Sequence, residues 1–190
     1  PGPVAISIPT DVLNAPVAAR LTPAGAGRRP PCDVGLIEEA ARYLARAERP
    51  LLVAGGGVTA ADATDELEEL VNHLHIPVAH TLMGKGVVAD DNPMVLGMTG
   101  FWGTTFINEM CRKADWILAL GTRFSEADCS SWEDEYTFSI PPTKLMHIDI
   151  DPAELGRNYP VEIGAVADLK PAIAALVRAA RRLAPDGVPR

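Results

Sequence analysis

Residues 50–60 run Pro50-Leu51-Leu52-Val53-Ala54-Gly55-Gly56-Gly57-Val58-Thr59-Ala60. A short apolar run stopped by glycines is the pattern of a strand buried on both faces, as in a parallel sheet, leading into a tight turn. Before it, residues 33–47 repeat Leu36, Ala40, Tyr43 and Leu44 at helical spacing, with Asp33 as the cap. After it, residues 61–74 place Leu67, Leu70, Val71 and Leu74 on one helical face, and Ile76-Pro77-Val78-Ala79 forms a second strand. The alternation continues with a helix over 104–113, a strand over 115–120 ending at Gly121, and a strand over 144–150. Asp151-Pro152-Ala153-Glu154 then opens a helix with proline in its first position. An edge strand over 162–166 and an amphipathic helix over 169–183 complete the pattern. Strands alternating with helices make βαβ units, so the sequence predicts an α/β fold: a Rossmann-like parallel sheet of about six strands with helices on both faces.

Composition narrows the class. The chain has 190 residues and a net charge of −8, a balance that argues against nucleic acid, whose partners carry a basic excess. No apolar run is long enough to span a membrane, and the first residues have neither the basic flank nor the apolar core of a signal peptide. Cys32, Cys111 and Cys129 fit no zinc or CxxC spacing and read as reduced thiols, so the expected location is the cytoplasm. Residues 3–8 alternate Val4, Ile6 and Ile8 as a strand would, and residues 14–31 are rich in Pro, Ala, Gly and Arg, as a linker is. An orphan strand before a linker, with no initiator Met, is the expectation for a segment of a longer chain.

Ligands of open α/β sheets bind outside the carboxyl ends of the strands. The segments there are Gly55-Gly56-Gly57, Thr81-Leu82-Met83-Gly84, Gly121-Thr122-Arg123-Phe124 and Asp149-Ile150-Asp151. A further segment, Gly100-Phe101-Trp102-Gly103-Thr104, precedes a helix. Residues 55–60 fit G-x-G-x-x-A, either a nucleotide fingerprint or an ordinary tight turn. A nicotinamide dinucleotide also wants an acid after the second strand, where this chain has His80 and Thr81, so an ordinary dehydrogenase is disfavoured. Arg123 suits a phosphate or carboxylate, or else a surface ion pair. Trp102 suits a flat ring, or else a lid on the core. His73, His75 and His80 lack a metal-ligand spacing, and no serine or cysteine has a nucleophile's context. With no base–nucleophile pair, a binding domain fits better than a complete enzyme.

The motifs, taken together, resemble the central domain of thiamine-diphosphate-dependent enzymes of the acetolactate synthase type. The resemblance rests on P-G-P-V-x-x-x-I-P-x-D-V (1–12), P-x-x-x-x-G-G-G (50–57), T-L-M-G-x-G (81–86) and L-G-M-x-G-x-x-G-T-x-x-x-N (96–108). It also rests on A-D-x-x-x-x-x-G-x-R-F (114–124) and H-I-D-I-D-P-x-E-x-x-x-N (147–158). Two stretches depart from the pattern: Phe101-Trp102, where the family often has Met-His, and Ser125-Glu126-Ala127, where it often has Asp-Asp-Arg. The resemblance implies a DHS-like NAD/FAD-binding fold, with residues 1–12 ending a pyrimidine-binding domain, 13–33 a linker and 34–190 the central domain. It implies FAD in a structural role. The implied cofactor-binding residues are Gly55, Gly56, Gly57, Thr81, Leu82, Met83, Gly100, Trp102, Gly103, Thr104, Gly121, Thr122, Arg123, Phe124, Asp149, Ile150 and Asp168. Thiamine diphosphate and Mg²⁺ belong to flanking domains of the parent, a homodimer or homotetramer. No catalytic residue and no metal ligand is therefore assigned within 1–190, and the segment alone is expected to be inactive. The rival readings are a stand-alone nucleotide-binding module and the central domain of a related lyase, decarboxylase or acetyltransferase.

Overall fold

The computed structural model describes residues 3–19 and 29–188. Six strands form one sheet: β1 (Pro50–Ala54), β2 (Val78–His80), β3 (Val95–Met98), β4 (Trp116–Leu120), β5 (Lys144–Asp149) and β6 (Ile163–Val166). They are all parallel, in the order β3-β2-β1-β4-β5-β6. That is the doubly wound order whose direction reverses between β1 and β4. Among the described residues seven helices accompany them: α1 (Thr10–Leu13), α2 (Val34–Arg46), α3 (Gly56–Ala60), α4 (Thr64–Leu74), α5 (Thr105–Lys113), α6 (Glu126–Cys129) and α7 (Leu169–Leu183).

Side chains of a strand alternate between the faces, and the two faces are covered differently. Leu52 and Ala54 of β1 and Leu118 and Leu120 of β4 enter one core with the apolar faces of α2, α4 and α7. Leu51, Val53, Ile117 and Ala119 enter the other with Ile107 and Cys111 of α5 and the aromatic residues Phe124, Phe138 and Tyr159. Helices thus lie on both faces, as the sequence pattern predicts, but the second layer is thin: α5, of nine residues, and an irregular, aromatic-rich segment supply it.

Other differences have local causes. Residues 3–9 form no strand; Val4, Ile6 and Ile8 are exposed with no neighbouring strand to complete a ladder, and the chain turns instead into α1. The proposed linker falls partly on 20–28, outside the described residues; Pro30 accepts a hydrogen bond from Asp168 N and Asp33 caps α2 through Gly35 N and Leu36 N. The helix read over 61–74 begins at Thr64, because α3 intervenes and Asp62 sits at φ 54°. Pro152–Glu154 is a single 3₁₀ turn, capped by Asp151. β3 escapes the periodicity because it is a half-buried edge strand containing Gly97 at φ 122°.

At the reversal point the exits of β1 and β4 meet backbone to backbone. Gly55 N donates to Leu120 O at 2.9 Å and Gly57 N to Gly121 O at 3.1 Å. A Cβ on Gly55 would lie 2.2 Å from Gly121 O, and one on Gly57 would lie 2.6 Å from Gly121 Cα. Gly55→Ala is expected to cost roughly 3 kcal/mol, because backbone on one side must give way. Gly86→Ala has open space beside it and only a left-handed φ of 83° to lose, so its cost is about 1–2 kcal/mol. Urea denaturation midpoints of the two variants check that order.

Candidate functional site at the carboxyl edge of the sheet

The Gly55–Gly57 turn is tied to its neighbours rather than open. Its N–H groups at Gly55 and Gly57 are taken by β4's exit, and a Cβ on Gly56 would lie 2.9 Å from Met83 Cβ. After β2, Thr81 Oγ accepts from Gly84 N at 3.2 Å and caps the turn Leu82–Gly84. Gly84 itself packs on β1, where a Cβ would meet Ala54 O at 2.1 Å.

After β3 the chain makes the turn Gly100–Trp102. Asn108 on α5 clamps the first residue of that turn: its Oδ1 accepts from Gly100 N and its Nδ2 donates to Gly100 O, each at 3.0 Å. Thr104 Oγ caps α5 by accepting from Ile107 N at 3.3 Å, and Gly103 fits where a Cβ would lie 2.3 Å from Met98 O. Gly100, at φ 71°, rests on the carbonyl of Ala127. The two stretches that depart from the family pattern, Phe101-Trp102 and Ser125-Glu126-Ala127, therefore face one another across Gly100. They border a cavity of about 940 Å³ whose lining includes Phe101, Arg112, Glu126 and Tyr136.

The exit of β4 is the most heavily constrained segment. Thr122 O faces His147 Nε2 at 2.9 Å. Asn158 Nδ2 donates to Arg123 O at 3.2 Å and to Phe124 O at 3.0 Å, and Trp132 Nε1 donates to Phe124 O at 2.6 Å. Phe124 adopts φ 48°, and its buried ring meets Phe138, His147 and Tyr159 edge-on. Arg123, between them, is exposed and makes no side-chain hydrogen bond or ion pair among the described residues.

β5 and β6 close the same edge. Asp149 is buried, with Oδ1 accepting from Asp151 N at 2.9 Å, and Ala167 N donates to Asp149 O. Asp168 caps α7 through Lys170 N and pairs with Arg29 at 3.2 Å. Apolar side chains stand exposed along this rim: Leu82 53%, Met83 75%, Phe101 72%, Trp102 58% and Ile150 52%. Asn108, Asn158, Trp132 and His147 do not stand out as site residues in the sequence. The only signal is that the two asparagines close the motifs at 96–108 and 147–158.

Two thiols and a phenol buried nearby are held neutral by desolvation. Burial pushes the Cys111 and Cys129 thiols up to about 12, so neither is a thiolate nucleophile at neutral pH. Burial also raises Tyr159 well above its usual range. No group of three His, Cys, Asp or Glu side chains suited to a metal occurs among the described residues. No helix described is long and apolar enough to cross a membrane.

A six-stranded parallel sheet in the doubly wound order, with glycine turns packed at its carboxyl edge, defines a Rossmann-like α/β domain. Residues 37–176 match the family model described as thiamine pyrophosphate enzyme, central domain, and the chain belongs to that family. It is 39% identical over 178 residues to the "Probable acetolactate synthase large subunit" of Methanocaldococcus jannaschii, covering 90% of this chain and 29% of that protein. It is 37% identical to the "Acetolactate synthase" of Arthrospira platensis, over 90% of this chain and 30% of that one. The "Acetolactate synthase" of Mycobacterium bovis is 35% identical, over 93% of this chain and 29% of its own. The chain thus spans less than a third of the length of these relatives.

His147 gives a pH prediction. Desolvation lowers its pKa below 6.5, against smaller opposing contributions from Thr122 O, Asp149 and Glu154. Above about pH 6.5 the ring is neutral folded or unfolded. Below it the unfolded chain takes up a proton that the buried ring refuses, so stability falls as pH drops through the folded-state value. Urea midpoints measured on either side of pH 6.5 should show this loss. His147→Gln, which keeps a donor for Thr122 O, should reduce it.

Proposed function

We propose that this chain is the non-catalytic central domain of an acetolactate synthase-like enzyme acting on a 2-oxo acid, and that it holds FAD along the carboxyl edge of its sheet. The observation that carries the nucleotide reading is the combination on that edge: an exposed, unpaired guanidinium at Arg123, its backbone held by Asn158, flanked by exposed apolar side chains. A flavin dinucleotide has the matching chemistry, flat apolar rings joined by a charged diphosphate. Arg123 would take the diphosphate. Asp149, with one carboxylate oxygen held by Asp151 N, would offer the other to a hydroxyl. Leu82, Met83, Trp102 and Ile150 would pack on the rings. His80, buried where a nicotinamide dinucleotide needs an acid, argues against NAD.

The flavin here would be structural, and the thiamine diphosphate and Mg²⁺ that supply the reaction chemistry would sit on the flanking pyrimidine- and diphosphate-binding domains of a dimeric or tetrameric cytoplasmic parent. Substrate choice between a carboligase and a related lyase, decarboxylase or acetyltransferase would register where Phe101-Trp102 faces Ser125-Glu126-Ala127.

Full-length protein purified from its native host should carry visible flavin absorption and release FAD on denaturation. Flavin absent even after reconstitution with FAD would contradict the reading. Residues 1–190 alone should show no turnover of pyruvate.

A further inference from the structure

We infer that Asn158, with Trp132, is a positioning residue that presets the backbone of Arg123 for an anionic ligand; this rests on the nucleotide reading above. Successive carbonyls at Arg123 and Phe124 receive three hydrogen bonds from two side-chain donors: two from Asn158 Nδ2 and one from Trp132 Nε1. At the exposed Arg123 carbonyl water would suffice, whereas at Phe124, which is buried, the donors satisfy a carbonyl partly withdrawn from water. Here they accompany two departures from ordinary backbone. Phe124 lies in the left-handed region, and so does Trp132, the last of three consecutive left-handed residues with Ser130 and Ser131. Conformations of this kind persist where the surroundings over-determine them.

The geometry has one evident consequence. Phe124 turns inward onto Phe138, His147 and Tyr159, while Arg123, one residue earlier, is left exposed without a partner. A guanidinium whose backbone is already fixed loses less freedom on binding a phosphate group. Asn158 lies 35 residues from Arg123 in sequence, on the segment after the Pro152–Glu154 turn, so its side chain joins the Phe124 ring contacts in tying the exits of β4 and β5 together.

A double-mutant cycle in the full-length protein tests this, with FAD and ADP as probes titrated by fluorescence and adenosine as the uncharged control. Arg123→Gln should weaken FAD and ADP roughly ten- to hundredfold and adenosine little, as expected for loss of a charged hydrogen-bonding partner. Asn158→Ala should weaken FAD and ADP several-fold in the wild-type background and have no further effect in Arg123→Gln. Its effect on melting temperature should be the same in both. Trp132→Phe keeps the ring and removes only the N–H donor; it should follow the same pattern and decides the matter where Asn158→Ala does not fold. Equal weakening in both backgrounds, or none from either variant while Arg123→Gln weakens binding, overturns the positioning role alone. No effect of Arg123→Gln on bound FAD or ADP overturns it too. No binding of either probe by the wild-type protein overturns the nucleotide reading and the positioning role with it.

Discussion

The contact between Gly55, Gly57 and Gly121 governs the architecture. In a doubly wound sheet the chain leaves the two central strands toward opposite flanks, and a crevice opens between their exits. Here the exit of β4 lies directly on the exit turn of β1, at distances that no Cβ allows. The two turn amides that would otherwise face an anion donate to Leu120 O and Gly121 O. The glycine triplet thus packs backbone on backbone, and in the proposed reading the diphosphate is met by the exposed cation Arg123 further along the edge. The short α3, of five residues, adds little dipole of its own at that turn.

A second constraint follows from the uneven covering of the sheet. The face served by α2, α4 and α7 is an ordinary helical layer, held by Leu44, Leu67, Leu70 and Leu176. The opposite face relies on α5 and on Phe124, Phe138 and Tyr159, whose rings meet edge-on, with His147 edge-on to Phe124. Such edge-on rings add roughly 0.5–1.5 kcal/mol per pair beyond the area they bury. Because Phe124 is both a core residue and part of the β4 exit, this cluster couples the stability of that face to the geometry of the edge.

Much of the fold is legible in the residues because burial imposes a pattern. Leu51 to Ala54 and Trp116 to Leu120 show it as continuous apolar runs, and the faces of α2, α4 and α7 show it as a helical period. β3 does not, since an edge strand with a glycine inside buries no continuous face. Residues 3–9 show the opposite failure: the alternation of Val4, Ile6 and Ile8 is strand-like, but a strand exists only with a neighbour to pair with. The segments of the candidate edge were also legible, as loops after strands. The hydrogen bonds that shape them were not, because Asn108 and Asn158 act on carbonyls 8 and 35 residues away, and an asparagine in a motif does not announce its partner.

The central claim is that the carboxyl edge between the β1 turn and the β5 exit carries a dinucleotide in the assembled protein. An experimental structure of the full-length protein grown with FAD measures this most directly. The account predicts density for the dinucleotide along that edge, with a phosphate oxygen within hydrogen-bonding distance of the Arg123 guanidinium and Asn158 still on the carbonyls of Arg123 and Phe124. Arg123 paired instead with a carboxylate of a neighbouring domain, and the edge filled by protein side chains, would contradict it.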